Sequence, residues 1–379
     1  MGGTPPVQLV LFVLVCDYGD MENNLTYQQM YRDTYSPVLD TALQQKVSRL
    51  TGLVTHLSGC RGKRMEFNSR GKTEADWRTE RYEEKQPEEL EYGKRCMLPV
   101  GFRHALQFSE DDRHLRGDFS VETPQFIEEL ANSFARKMDQ IVLGSVWDDV
   151  RKIWTIAQPE SSIDPKTSFY NGKGLGGILG PCYTGENLVK AETMPLYPVL
   201  KGGELATSIS QYNGKNIDME LTNVIPHTYV RKGTPTASSL TKGKIWAIME
   251  ALQTRYALNP GEMINLAVTP QMHWELSEDP DFMNKNNGFQ MMKEGLVNLL
   301  LQVRIVPFNN IPQVEIDGEM VYVLPAWKSE DVYFGVWENP KMEVVKPSMS
   351  YTKYVISGMG AAGCARRRLD SVLAVHVAV

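Results

Sequence analysis

The sequence predicts an α+β protein with one long amphipathic helix before its middle and a series of strands at its end. The chain has 379 residues, of which 42% are hydrophobic and 23% charged, so it can bury a sizeable core and divide into two or three units. Between residues 127 and 141, apolar side chains recur at every third or fourth position, which is the period of a helix with one buried face. From residue 320 onward, strand-sized apolar runs alternate with turn residues.

The first fifty residues are predicted to form an N-terminal arm. The run VQLVLFVLVC, Val7 to Cys16, is too short to span a bilayer and lacks the preceding Lys or Arg of a secretory signal, so it predicts a strand or an ordered arm. The alternative is an upstream extension that ends before Met21. Helical spacing then predicts one helix through Val38, Leu39, Ala42, Leu43, Val47 and Leu50. No other stretch approaches membrane-span length, and we expect a soluble product.

Residues 51–108 are heavily charged, with few apolar runs and with turns that contain glycine. A charged pair of strands cannot form a core of its own, so this segment predicts a long extended hairpin that lies on a neighbouring surface. Basic clusters occur here, RGKR at 61–64, and near the C-terminus, RRR at 366–368. Each cluster can contact phosphate or carboxylate groups, or can be solvated or subunit-bridging charge.

The long helix has clear start signals. Thr123 is expected as the N-cap and Pro124 as the first helical residue, with Glu128 and Glu129 in the early turns, and the helix is expected to run over about 123–154. Its core-facing side chains are expected to be Phe126, Ile127, Leu130, Phe134, Met138 and Ile141.

The remaining elements follow in order. Residues 156–238 are rich in Gly, Pro and Asn and predict loops with short strands. A helix follows near residue 245, with Ile245, Ile248, Met249 and Leu252 on one face, and then MINLAVTP as a buried strand. Residues 288–312 predict a short helix and a strand, and the last five apolar runs predict strands.

The segment GKGLGG, Gly172 to Gly177, has the spacing of a dinucleotide-binding loop. That function requires a hydrophobic strand before the loop and a helix after it. A polar stretch precedes this segment and Pro181 blocks a helix after it, so a flexible loop is preferred. An NAD-dependent oxidoreductase that uses Gly172 to Gly177 is retained as an unfavoured alternative.

Residues 109–120, SEDDRHLRGDFS, combine acidic residues, a histidine and Arg-Gly-Asp. This combination is compatible with a metal site, an adhesive loop or a solvated helix entrance, and the helix entrance is preferred because a helix N-terminus favours negative charge. The five cysteines are scattered and never form a CxxC pair, which predicts free thiols in a reducing compartment, and the six histidines form no catalytic motif. We therefore expect no enzyme activity, no cofactor and no metal.

The linear order of these elements resembles the major capsid proteins of tailed bacteriophages with the Hong Kong 97 fold, from about residue 25 to the C-terminus. Several blocks carry the resemblance: the arm YSPVLDTALQQKVSRLTGLV, the hairpin strand KRMEFNSRGKTEADWRTERYEE, and the helix block with Asp112, Pro124, Ala135, Arg136, Asp139 and Ile141. LTKGKIWAIMEAL, MINLAVTPQMHWEL and AAGCARRRLDSVLAV match later family elements. No single block is diagnostic, but their order is specific.

The resemblance implies six regions. They are an N-terminal extension and N-arm (1–50), an E-loop (51–110), a P-domain with the spine helix (111–165), an insertion or connection (166–238), an A-domain (239–345) and P-domain return strands (346–379). The connection is longer than the family pattern.

The resemblance also implies a function: a structural subunit that assembles into hexamers and pentamers of an icosahedral shell around double-stranded DNA. An encapsulin-like nanocompartment shell is the close alternative. The expected partners are other copies of the chain, a separate scaffolding protein, a portal, a decoration protein and non-specifically bound DNA, with no membrane. The expected location is the virion capsid, after assembly in the host cytoplasm. The candidate inter-subunit charges are Arg61, Lys63, Arg64, Glu80, Glu83, Glu84, Arg113 and Arg116.

Overall fold

The computed structural model confirms the α+β class. It describes residues 47–70, 92–109, 119–159, 175–184, 190–208, 216–231, 234–255, 257–259, 261–278, 292–293, 296–297, 299–300, 302–345 and 353–378. The described α-helices are α1 (Phe119–Leu143), α2 (Lys242–Thr254) and α3 (Pro270–Glu278). The first strands are β1 (Thr55–Leu57), β2 (Met65–Arg70), β3 (Tyr92–Met97), β4 (Val100–Ser109), β5 (Ser145–Asp148), β6 (Ile153–Ile156), β7 (Cys182–Thr184), β8 (Lys190–Glu192) and β9 (Val224–Ile225). The later strands are β10 (Ile264–Val268), β11 (Met292–Lys293), β12 (Leu296–Val297), β13 (Leu299–Leu300), β14 (Val303–Pro307), β15 (Gln313–Ile316), β16 (Glu319–Lys328), β17 (Val332–Val345), β18 (Lys353–Arg366) and β19 (Val372–Ala378).

The long helix α1 differs from the prediction at both ends. It begins at Phe119, so Thr123 and Pro124 lie inside it rather than at its start. Residues 119–122 contain no helix-breaking residue and extend it by about one turn. It ends at Leu143, because Gly144 has a positive φ of 77° that L-residues rarely adopt.

The helix was expected to continue to about residue 154, but residues 145–156 form an antiparallel hairpin of β5 and β6. The Asp148 carboxylate accepts the backbone N–H groups of Val150 and Arg151 and so stabilises the turn between the strands. Trp147 and Trp154 face each other across the hairpin, with ring centroids 5.3 Å apart. The Asx turn and this aromatic pair outweigh the helical spacing of the same residues.

Helix α1 packs on a four-stranded sheet, the spine sheet, with strand order β1-β17-β18-β4. Glycines on β18 make room for aromatic rings: a Cβ at Gly358 would lie 2.6 Å from the ring of Phe134, and one at Gly360 would lie 2.9 Å from Phe102. The two rings are in contact with each other, with centroids 5.4 Å apart. The helix and the sheet therefore meet through aromatic side chains set above glycines.

A seven-stranded sheet, the large sheet, has the order β13-β14-β10-β16-β19-β9, with β15 paired to β16. Strand β19 lies inside this sheet, whereas β17 belongs to the spine sheet, so the boundary expected at residues 345/346 does not separate the two sheets. Residues 292–300 contribute short strands in their described part, where a short helix was expected. Helix α2 buries Ile245, Ile248, Met249 and Leu252, as predicted.

The predicted hairpin is present in its described part as β2 and β3, paired from Met65↔Met97 to Arg70↔Tyr92. The hairpin tip, residues 71–91, lies outside the described residues. Strands β7 and β8 join the same sheet, so part of the 166–238 connection supports the base of the hairpin. The helix expected before residue 51 does not include its last positions, since residues 47–50 are not helical.

Candidate assembly interface

The C-terminal end of α1 is closed by the glycine-rich segment. The backbone N–H groups of Ile178 and Leu179 donate to the carbonyls of Val142 and Leu143, at 2.8 and 3.0 Å. The last turn of a helix leaves such carbonyls without partners, and a buried end requires that they be satisfied. This segment therefore holds the end of α1 against the rest of the core.

Close backbone packing explains the glycines of this segment. A Cβ at Gly144 would lie 2.4 Å from the carbonyl oxygen of Gly176, and one at Gly176 would lie 2.5 Å from that of Cys364. Gly177 donates its N–H to the Cys364 carbonyl at 2.9 Å. Glycine is required here because any side chain would push the backbones apart.

This geometry corrects the interpretation of Gly172 to Gly177 as a flexible loop. Residues 176–181 are buried, and residues 172–174 lie outside the described part. The N–H groups of Ile178 and Leu179 are used by the carbonyl end of a helix, where a phosphate would meet negative partial charge. A dinucleotide pyrophosphate needs the opposite end of a helix, so the described segment does not fit a nucleotide site.

The C-terminal basic cluster is not one charged patch. Arg366 is fully buried and donates to the carbonyl of Ile178 at 2.7 Å. Arg367 lies over the Tyr333 ring, 5.8 Å from its centroid, and only Arg368 is exposed. One of these three arginines therefore stabilises the core, and the cluster is not a phosphate-binding surface.

The base of the hairpin has an open cavity of about 560 Å³. Its lining comes from the segment before β2 and from β17: Cys60, Arg61, Gly62, Trp337, Glu338, Asn339 and Lys341. The Trp337 indole N–H donates to the Gly62 carbonyl at 3.0 Å and holds the two walls together. Arg61 and Lys63 are exposed, whereas Arg64, just before β2, pairs with Glu66 of that strand at 2.5 Å.

The same sheet face continues with further basic groups. Lys341, Met359 and Arg103 are directly paired across β17, β18 and β4, so they share one face of the spine sheet. Met359 is 54% exposed, and both basic residues are exposed beside it. The hairpin base and this row share Lys341, which also pairs with Glu338 of the cavity lining at 3.8 Å.

Of the predicted α1 core, Leu130, Phe134 and Ile141 are buried, and Met138 is partly buried against the same core. The side chains of Phe126 and Ile127 lie outside the described part. So do Glu80, Glu83, Glu84, Arg113 and Arg116, together with the polar stretch 110–118.

The described residues contain little reactive chemistry. Burial raises the pKa of the Cys60 and Cys364 thiols and raises that of Cys96 to about 11, so these thiols stay protonated. Cys60, Cys96, Cys182 and Cys364 are free and buried. No group of three or more His, Cys, Asp or Glu side chains in the described part is placed to hold a metal ion. None of the described helices has the length and apolar character of a membrane span.

One buried polar cluster had no signal in the sequence. His227, His376 and Lys244 are all buried where β9, β19 and α2 meet. The Lys244 ammonium donates to the carbonyls of Ser238 and Ser239, at 2.7 and 3.0 Å. These residues are more than a hundred positions apart at the extremes, so only tertiary structure brings them together.

Comparisons with known proteins give a consistent result. A family model described as phage capsid protein matches residues 27–165. Among solved structures, the capsid of cyanophage P-SCSP1u matches with a TM-score of 0.55 at 12% identity, covering 93% of this chain and 94% of that one. The capsid of cyanophage Pam1 matches with a TM-score of 0.53 at 10% identity, covering 95% and 99%. The capsid of a native GTA particle matches with a TM-score of 0.55 at 7% identity, covering 92% and 95%. The sequence comparison with curated proteins finds no match.

The fold, a long helix on a glycine-bearing sheet beside a larger sheet, is thus shared with the phage capsid structures reported above. The α+β fold expected from the resemblance is confirmed as the fold of these phage capsid structures, and the family model supports the resemblance over residues 27–165.

Proposed function

We propose that this protein is the major capsid protein of a tailed bacteriophage, a structural subunit that assembles into hexamers and pentamers of an icosahedral shell around double-stranded DNA. The observation that carries the proposal is the coincidence of a phage capsid family match over residues 27–165 with a fold match that covers over nine-tenths of both chains. The encapsulin and oxidoreductase alternatives are not favoured, since the family model and the structures reported above are capsids.

The charge of the hairpin supports a role for this segment in assembly. Strands β2 and β3 belong to a separate sheet with β7 and β8, and the residues between them, 71–91, include more carboxylates than basic side chains. A subunit gains burial for such a segment only when a second copy covers it, and many modest contacts become strong when they repeat around a closed shell.

The basic surface at the hairpin base fits such a contact. Arg61 lines the cavity on one side and Lys341 lines it on the other, and the exposed Lys63 follows Arg61 closely in the chain. Glu80, Glu83 and Glu84 of the tip of a second copy supply opposite charges, and Arg113 and Arg116 are further basic groups for the same role. Arg64 contributes less, because Glu66 already neutralises it within the subunit.

The proposal extends to other components. A shell of this kind needs a separate scaffolding protein and a portal, and a decoration protein is a further partner. The net charge of −6 implies that contact with packaged DNA is local and independent of base sequence. Assembly takes place in the host cytoplasm, before the subunit becomes part of the virion.

Electron microscopy of the purified full-length protein, produced alone and with scaffolding candidates from the same genome, tests the proposal. We expect closed shells or separate hexamers and pentamers. A small discrete oligomer that binds a nicotinamide cofactor would overturn the proposal. Shells that enclose a protein cargo and no DNA during infection would support the nanocompartment instead.

A further inference from the structure

A short segment at the end of the N-terminal arm crosses the junction between the two sheets. Residues 48–57, here called the clasp, contain a single 3₁₀ turn, Thr51–Leu53, followed by β1. The residue before the clasp, Val47, is 72% exposed, whereas Leu50 is completely buried. Within the described residues, burial of the chain therefore begins between Val47 and Leu50.

The first attachment of the clasp is to helix α1. The fully buried carboxylate of Asp139 accepts the Ser48 hydroxyl at 2.6 Å and the backbone N–H groups of Arg49 at 3.1 Å and Leu50 at 3.0 Å. Hydrogen bonds to a carboxylate are about twice as strong as neutral ones. The Ser48 hydroxyl in turn accepts the N–H of Thr51 at 3.2 Å, so one acid organises the whole turn.

The second attachment is to the large sheet. The Arg49 guanidinium donates to the carbonyl of Pro307, at the end of β14, at 2.9 Å. The Leu53 carbonyl accepts the indole N–H of Trp327 on β16 at 3.0 Å and the amide of Asn265 on β10 at 3.5 Å. Two residues of the clasp, Arg49 and Leu53, thus bind three neighbouring strands of the large sheet.

The third attachment is to the spine sheet. Strand β1 pairs in parallel with β17, from Thr55↔Tyr333 to Leu57↔Gly335. The Thr55 hydroxyl donates to the carbonyl of Ser329, in the link between β16 and β17, at 2.9 Å. Within ten residues the clasp therefore contacts the helix and both sheets.

We propose that the clasp, anchored by Asp139, sets the angle between helix α1 and the large sheet and thereby the curvature of the assembled shell. This inference rests on the proposed function as a shell subunit. A small change in that angle is repeated in every copy, so a contact that changes little in one subunit changes the diameter of a closed shell. Asp139 and Arg49 are positioning residues, one for each side of the junction.

The test uses full-length protein with three substitutions. Asp139→Asn replaces a carboxylate oxygen by an NH₂ group that faces other donors, and Arg49→Ala removes only the bond to Pro307. Asp148→Asn is the matched control, since Asp148 also accepts two backbone N–H groups of a turn but lies outside the clasp. Arg49→Lys keeps a donor and is the conservative rescue.

The expected readouts are separate. Amide hydrogen exchange of residues 47–53 becomes roughly tenfold to a hundredfold faster in Asp139→Asn, from the loss of charge-assisted bonds. Electron microscopy shows a shifted or broadened distribution of shell diameters for Asp139→Asn and Arg49→Ala, but wild-type diameters for Asp148→Asn and Arg49→Lys.

Shells of wild-type diameter in both clasp variants, despite faster amide hydrogen exchange, would show that the clasp stabilises only its local contacts. That result would overturn the inference. If Asp139→Asn does not fold, Arg49→Ala decides the question alone. The Arg49 side chain is exposed, and its removal leaves Asp139 and Leu50 unchanged. Wild-type protein that forms no shell would instead overturn the proposed function.

Discussion

At the scale of single residues, buried histidines make the stability of this protein sensitive to acid. Burial lowers the pKa of His376 to about 3, and the nearby His227 and Lys244 lower it further by repulsion. Burial also lowers the pKa of His227, although the Glu319 carboxylate, 3.3 Å from its Nε2 atom, partly opposes this effect. Burial lowers the pKa of Lys244 to about 7. The folded state therefore favours the neutral form of all three groups.

The stability of the unassembled subunit should consequently fall in acid. Below the ordinary histidine pKa of 6.5, His376 binds a proton in the unfolded chain but stays neutral in the folded protein. The unfolding free energy therefore decreases as pH falls from 6.5 towards 3. For one such group the loss at pH 5 is roughly 2 kcal/mol. Urea unfolding between pH 4 and pH 8 measures it.

His376→Gln should flatten this pH dependence, and the same change at the exposed His104 is the control for the substitution itself. An identical slope in wild type and His376→Gln would contradict the assignment.

At the scale of elements, the contact between helix α1 and strand β18 depends on one ring and one glycine. Phe134 is 3% exposed, and a Cβ at Gly358 would overlap its ring. A substitution at either residue therefore disturbs the packing of the other, because protein interiors are packed without spare volume.

Phe134→Ala should cost about 3 to 5 kcal/mol of unfolding free energy, since it leaves a cavity under β18. Gly358→Ala alone should also destabilise the subunit, because the added methyl group meets the ring at 2.6 Å. The double variant should be less destabilised than the sum of the two, since the methyl group enters the space that the ring left. Urea unfolding of all three variants measures this coupling, with Glu128→Ala on the exposed side of the helix as the control.

Strict additivity of the two changes would show that Phe134 and Gly358 do not share one contact.

At the scale of the whole molecule, the proposed function requires repeated weak contacts between copies of the chain. A single exposed ion pair contributes about 0 to 1 kcal/mol, which is negligible for one subunit, but a shell repeats the pair in every copy. The exposed Arg61 and Lys63 at the hairpin base are suited to this role, and Arg64 is less so because of its internal pair with Glu66.

Reversal of both charges, Arg61→Glu with Lys63→Glu, should lower shell yield at low salt, where the acidic hairpin tip of a second copy is repelled. Added salt should restore part of the yield, because it screens the repulsion. Sedimentation of assembly reactions over a salt series measures the effect. The matched control reverses two exposed basic residues elsewhere, Lys201 and Arg368. Equal yields in the two double variants at every salt concentration would exclude the proposed pairing.

Much of the fold followed from local patterns. The apolar spacing of α1 and α2, the buried strand β10 and the strands β16 to β19 each depend on side chains within a few turns or one strand, and their types were predicted correctly. The end of α1 was predicted wrongly, because residues 145–156 have helical spacing and only the turn at Asp148 and the partner strand reveal a hairpin.

The candidate sites depended more strongly on distant contacts. Arg366 looked like part of a basic patch, but Ile178, far away in sequence, supplies the carbonyl that allows its burial. The role of Asp139 could be suspected only from its place in the family-like block, since its partners lie some ninety residues earlier in the chain.

By itself the sequence determined the α+β class, the order of the elements and the resemblance to phage capsid proteins, because periodicity and order are properties of the linear chain. The tertiary structure alone decided which strands share a sheet, why the glycines near residue 176 are required, and how residues 48–57 contact α1 and both sheets. The physical reason is that hydrogen bonds and close packing between distant segments depend on where the folded chain brings them, and spacing along the chain does not contain that information.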